Sequence, residues 1–136
     1  MGNVFIDVMK VNKIDHLVLT TSDIEQTINF YTTILGMELI SVEGGRKSLR
    51  FGTQKINLHE AGQEISPHAK HPLPGSADLC FITETSIQQV VEHLHSSGIT
   101  LLEGPTKRIG ATGPLLSIYI QDPDGNLLEL SNHLKV

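Results

Sequence analysis

Tryptophan is missing from this chain, and the only other large aromatics are four Phe and two Tyr. Few faces are therefore available on which single-stranded bases could stack. Cysteine occurs once, as Cys80, so there is no intrachain disulfide framework and a reducing cytosol suits the chain. Charged residues make up 18%, too few for disorder driven by charge and low hydropathy. Positive charge is in deficit: ten Lys and Arg against fifteen Asp and Glu leave a net −5. No electrostatic footprint for nucleic acid follows from that balance. No apolar run approaches the roughly 20 residues a membrane span requires. Residues 1–8 lack a basic n-region and a small-residue cleavage site, so no signal peptide is expected and the cytoplasm is the expected compartment. Met9 is an alternative start, which makes those eight residues a candidate appendage.

What remains is 136 residues, the length of a single domain spanning 1–136. Seven histidines are more than packing or solubility asks for. The chain also repeats itself. Asp15-His16-Leu17-Val18-Leu19 and Ala77-Asp78-Leu79-Cys80-Phe81-Ile82 are short apolar runs that each lead into a helix start. After the first, Ser22-Asp23-Ile24-Glu25 reads as a Ser-x-x-Glu capping box. Ile24, Thr27, Ile28, Tyr31, Ile34 and Leu35 then recur at helical spacing as far as Gly36. After the second, Thr85 or Ser86 caps a helix carrying Ile87, Val90, Val91 and Leu94 that ends at Gly98. An offset of 62 residues holds from His16/Asp78 to Gly36/Gly98.

Strand-like text follows in both halves: 38–43, 48–51 and 55–60, then 100–103, 115–121 and 126–132. Asp122-Pro123-Asp124-Gly125 reads as the hairpin turn before the last strand. Each half is thus a βαβββ module, 12–66 and 76–133, and neither would bury its sheet face well alone. The segment 67–75 carries Pro67, Pro72 and Pro74 and reads as the linker.

Residues two apart on a strand share a face. His16 and Asp78 open equivalent strands, and laying 127–131 over 55–59 equates Glu129 with Asn57. Glu129 interrupts an apolar strand, where a carboxylate needs a partner or a cation. The candidate ligands are therefore His16 with Asn57 or His59 from one module, and Asp78 with Glu129 from the other. One imidazole and two carboxylates, completed by an amide or a second imidazole, suit Mn, Ni, Zn or Fe. The plainer alternative is a half-exposed His and a Glu paired with a surface Lys. His68 and His71, in the linker, read as solvated. His93 and His95 are two apart on a helix and cannot face one site, and His133 is exposed or supporting. Cys80 reads as a small buried hydrophobe.

Three segments together carry a resemblance: Ile14-Asp15-His16-Leu17-Val18-Leu19; Phe30-Tyr31 with Leu35-Gly36; and Ile118-Tyr119 with Asp122-Pro123-Asp124-Gly125-Asn126-Leu127-Leu128-Glu129. Over residues 12–133 the chain resembles the vicinal oxygen chelate superfamily of glyoxalases, extradiol dioxygenases, thiol transferases and bleomycin-resistance proteins. Within it, Lys55-Ile56-Asn57-Leu58-His59 and Gly75-Ser76-x-Asp78-Leu79 are similar to glyoxalase-domain-containing protein 5 and virulence-associated glyoxalase-like members. The resemblance implies an α+β fold in which two βαβββ modules pair into an open, incompletely closed β-barrel around a divalent metal. It also implies a homodimer with each site shared between chains.

By that resemblance His16 and Glu129 match metal ligands, and Asp78 stands where relatives use His or Gln. Asn57 departs from the glutamate of glyoxalase I, leaving His59 or water to complete the set. The implied chemistry is lyase or isomerase action on a small vicinal-oxygen metabolite or thiol adduct, such as the methylglyoxal–glutathione hemithioacetal, with glutathione as co-substrate. Glu129 would be the base with Asp78 behind it, and Asn57, Tyr119 and Arg108 would contact substrate. A thiol transferase would need His16, Asp78 and Glu129 with a cation such as Lys107 or Arg108, read as lying in a loop over 104–114. An extradiol dioxygenase would recruit His59. A sequestering protein of the bleomycin-resistance type would need no metal at all.

Overall fold

The computed structural model describes residues 8–135. The appendage expected at residues 1–8 lies outside these except for Val8, which is exposed. The first module runs β1 (His16–Thr21), α1 (Ile24–Thr33), β2 (Glu38–Ser41), β3 (Lys47–Phe51) and β4 (Gln54–Glu60). The second repeats the order as β5 (Asp78–Ile82), α2 (Ile87–Ser96), β6 (Glu103–Gly110), β7 (Gly113–Gln121) and β8 (Leu127–His133). Each module makes one four-stranded sheet, ordered β1-β4-β3-β2 and β5-β8-β7-β6. In both, the first strand forms one edge of the sheet and pairs in parallel with the last strand, while the rest is antiparallel. The two sheets are not joined into a closed barrel, in keeping with the α+β fold the sequence implies.

One side of each sheet is covered by helices. Leu49 and Ile56 from the first sheet and Ile118, Ile120 and Leu128 from the second are fully buried. They pack in one cluster with Tyr31 of α1 and Leu94 of α2, each large side chain contributing roughly 1.5–3 kcal/mol on burial. Phe51 and Phe81 meet edge to face across the modules, with ring centres 5.3 Å apart. His93 on α2 donates to the Ile34 carbonyl at the end of α1, 2.9 Å away.

The turn between β7 and β8 joins the modules through a buried polar network. Asp122 accepts from the Asp124 and Asn126 amides, the Asn126 side chain and, at 2.6 Å, the Tyr31 hydroxyl. Neighbouring Asp124 accepts from the Ser22 amide and hydroxyl and from Thr27. One local expectation changes here and one of two alternatives is selected. Asp23, not Ser22, caps α1 by accepting from the Gln26 amide, because the Ser22 hydroxyl is committed to Asp124. Ser86 caps α2.

The second strand of module two, β6, also differs from its expected bounds. It begins at Glu103 rather than Thr100 and runs to Gly110, so Lys107 and Arg108 lie on an ordered strand and not on a loop. Pro105 fits because β6 is the edge of its sheet, where a missing N–H removes no central ladder bond. A register shift separates Glu103 from Thr106. There Gly104 adopts φ +102, with its Cα so near the Ser117 carbonyl that a Cβ would lie 2.5 Å from the oxygen.

Candidate functional site

The registers of the two sheets coincide at the predicted ligands. In module one, His16 opposes Lys55 and Val18 opposes Asn57. In module two, Asp78 opposes Leu127 and Cys80 opposes Glu129. Asn57 therefore sits diagonal to His16 just as Glu129 sits diagonal to Asp78, offset by about 7 Å along the strand at 3.3–3.4 Å per residue. His59 opposes Thr20, four residues past the partner of His16 and roughly 13 Å along the strand. The structure does not bring His16 and His59 together.

Both diagonal pairs lie on the sheet faces that the helices leave uncovered. On those faces Val18 of β1 and Ile82 at the end of β5, both large apolar residues, are 46% and 48% exposed. Among the described residues, no three His, Cys, Asp or Glu side chains stand close enough to hold an ion. One chain thus presents two half-sets of two donors, on separate faces.

In the first half-set, His16 Nδ1 donates to the Asp15 carboxylate at 2.9 Å, which leaves Nε2 free as a ligand. This is the orientation in which a carboxylate fixes the tautomer of a metal-binding histidine. The imidazole bond holds the Asp15 carboxyl below its ordinary range. Asn57 Oδ1 accepts from the Ser48 hydroxyl at 2.8 Å, so its amide turns N–H groups toward the open face.

In the second half-set, Glu129 Oε2 accepts from Ser117 at 2.6 Å and more distantly from Ser131 at 3.5 Å. No lysine pairs with it among the described ion pairs. Ser131 also meets Ser117 at 2.6 Å and the Cys80 thiol at 3.4 Å, so two hydroxyls aim a single carboxylate oxygen. Burial pushes the Cys80 thiol up; the Ser131 contact opposes this and the Glu129 charge adds to it, which fits a thiol that is not a nucleophile. Cys80 is nonetheless exposed on the open face rather than in the core.

Tyr119 opposes Glu129 on β7. Its hydroxyl accepts from Arg108 Nε at 2.8 Å, and the guanidinium lies 5.4 Å from the ring centre. Arg108 also donates to Glu103 at 2.5 Å and Thr106 at 3.1 Å. Cys80, Arg108, Glu129 and His133 line one shallow hollow. Lys107 falls on the opposite face by strand alternation. Sequence reasoning missed that Ser117 and Ser131 hold Glu129; two serines sharing its strand face were the available signal.

Residues 13–130 match the model of the Glyoxalase/Bleomycin resistance protein/Dioxygenase superfamily. The chain is 54% identical over 126 residues to virulence protein STM3117 of Salmonella typhimurium, covering 93% of this chain and 88% of that protein. The crystal structure of that relative superposes with a TM-score of 0.91 over 93% of this chain and all of the other. More distant similarity extends to the metallothiol transferase FosB of Staphylococcus epidermidis, 28% identical over 90% of this chain and 82% of that protein. It extends also to lactoylglutathione lyase of Escherichia coli O157:H7, 26% identical over 85% and 88% respectively. On its repeated modules, matching registers and family match, the chain belongs to the Glyoxalase/Bleomycin resistance protein/Dioxygenase superfamily.

Proposed function

We propose that this chain is a cytoplasmic, metal-dependent, glyoxalase-like lyase or isomerase. Its substrate would be a small molecule with two neighbouring oxygens, such as the methylglyoxal–glutathione hemithioacetal, and its working form a homodimer. The observation that carries the reading is the diagonal pair His16/Asn57 on one uncovered face and Asp78/Glu129 at the same register on the other. Neither face is complete alone. Apposing the first face of one chain with the second face of its partner gathers His16, Asp78 and Glu129, with water in the fourth place and Asn57 facing the substrate. It also covers Val18 and Ile82.

The donors fit a borderline divalent ion of the Ni, Mn, Zn or Fe class: an imidazole oriented by a carboxylate, and a carboxylate oriented by hydroxyls. Such an ion would supply polarisation of the paired substrate oxygens. The remaining work falls to the chain itself. Glu129, with Oε2 held by Ser117, has its other oxygen available to take a proton from substrate carbon and return it to the neighbouring carbon. Asp78, diagonal to it on the same face, is the second acidic group. Asn57 donates to a substrate oxygen. Arg108, steadied by Tyr119, presents a fixed guanidinium to a substrate carboxylate. The hydroxyl–carboxylate arrangement supports an acid–base role, and similarity to a metallothiol transferase and a lactoylglutathione lyase supports the reaction class.

Titration calorimetry with Ni²⁺ and Zn²⁺ on the wild type and Glu129→Ala tests the reading, followed by assay of the hemithioacetal. Expected are one ion at the shared site with micromolar or tighter affinity, at least tenfold weaker binding in the variant, and turnover lost with it. Failure of the wild type to bind any ion at that site would overturn the enzyme reading in favour of ligand sequestration. Binding without turnover would redirect the assay to thiol transfer and ring cleavage.

A further inference from the structure

The histidines of the segment joining the modules are exposed, as expected, but they border one cavity. Residues 61–77 cross the edge of the first module, and a cavity of about 150 Å³ under them is lined by His59, His68 and His71 with Pro67, Pro72 and Ser76. The Nδ1 atom of His59 is buried and has no hydrogen-bond partner. An unmet buried ring nitrogen is destabilising unless water or a ligand satisfies it. His68 Nδ1 meets the Ala69 carbonyl at 2.8 Å, which leaves its Nε2 free.

The chemistry of this lining decides what it would take: imidazole nitrogens select a borderline ion of the zinc class over calcium or magnesium.

We infer that the connecting segment closes over a second metal site, in which His59, His68 and His71 hold a Zn²⁺-class ion. His68 and His71 are exposed, so their side chains are free to turn inward. Binding requires that rotation, because no three such groups already stand at ligating distance among the described residues. The site is separate from the His16 set: His59 lies about 13 Å along the sheet from the register position of His16. Its ion would staple the segment to β4, fixing the path of the chain between modules.

The test is a Zn²⁺ titration of the full chain by calorimetry, in the wild type and in a His16→Ala/Glu129→Ala background that disables the shared site. One ion per chain should remain in that background, and adding His68→Ala/His71→Ala should weaken it at least tenfold. Both histidines are exposed, so these substitutions spare the core, and far-UV circular dichroism checks that. In parallel, ¹⁵N-imidazole spectra of the wild type should show the His68 and His71 ring signals moving on zinc addition. Zinc binding that leaves both ring signals in place overturns the inference. So does a background variant that binds no zinc, or a His68→Ala/His71→Ala variant that binds it as tightly.

Discussion

At the scale of single residues, two buried contacts explain why the Asp-Pro-Asp-Gly-Asn text recurs in the resemblance. Asp122 collects four donors and does no chemistry on the open faces. Removing the Tyr31 hydroxyl deprives a buried carboxylate of one charge-assisted bond, worth about 1.5–3 kcal/mol. Tyr31→Phe should therefore lower stability by about 2 kcal/mol in urea unfolding, with little change in slope. Asp124 gives a pH signature. Burial alone would raise its pKa, but the hydroxyls of Ser22, Thr21 and Thr27 and the Ser22 amide outweigh that and lower it. A lowered folded-state pKa adds stability that is present above the ordinary carboxylate value near 3.9 and is lost as pH falls through the lowered one. Asp124→Asn should thus lower the melting temperature at pH 7, and the gap to wild type should narrow below about pH 4. A gap unchanged down to pH 2 would show that the carboxylate charge contributes nothing.

Secondary-structure elements show where the sequence was legible and where it was not. Both helices, both modules and the 62-residue offset could be read because periodicity and caps are local signals. The overlay of Glu129 on Asn57 could be read for the same reason, since strand alternation fixes faces. The N-cap of α1 could not, because Ser22 is claimed by a residue 102 positions away. Residues 104–114 looked like a loop because Gly104, Pro105, Gly110, Gly113 and Pro114 are turn text. The chain tolerates them in an edge strand and its hairpin. The histidine-lined cavity was equally hidden, since it joins a strand residue to a coil segment nine and twelve positions on. The strand assignment separates two neighbours the sequence treated alike. Arg108 shares the Glu129 face and Lys107 does not. Arg108→Ala should raise KM for an anionic substrate tenfold or more, about 1.4 kcal/mol, whereas Lys107→Ala should leave it within twofold. Equal effects of the two substitutions would remove Arg108 from the substrate contacts.

For the whole molecule, the separation of the half-sets makes a prediction that the behaviour of a one-chain site would not match. If each site takes His16 from one chain and Glu129 from its partner, the two single variants fail at different halves. Mixing His16→Ala and Glu129→Ala chains under exchange should give mixed dimers in half the population. Each such dimer has one site intact and one doubly disabled, so about a quarter of wild-type activity should return. Absence of any recovery, with exchange verified by mass spectrometry, would place the site within one chain.

The bond from Tyr31 to Asp122 spans 91 residues, and this bears on how the chain matures during synthesis. The first module can pair β1 with β4 as soon as Glu60 has emerged, but its helix then holds a tyrosine hydroxyl whose acceptor does not yet exist. Only when the last hairpin has left the ribosome does that buried partner arrive. Closing so long a loop is an entropic cost met late. A nascent chain halted before residue 122 should therefore carry a formed but protease-sensitive first half, and resistance should appear abruptly once the final turn is released.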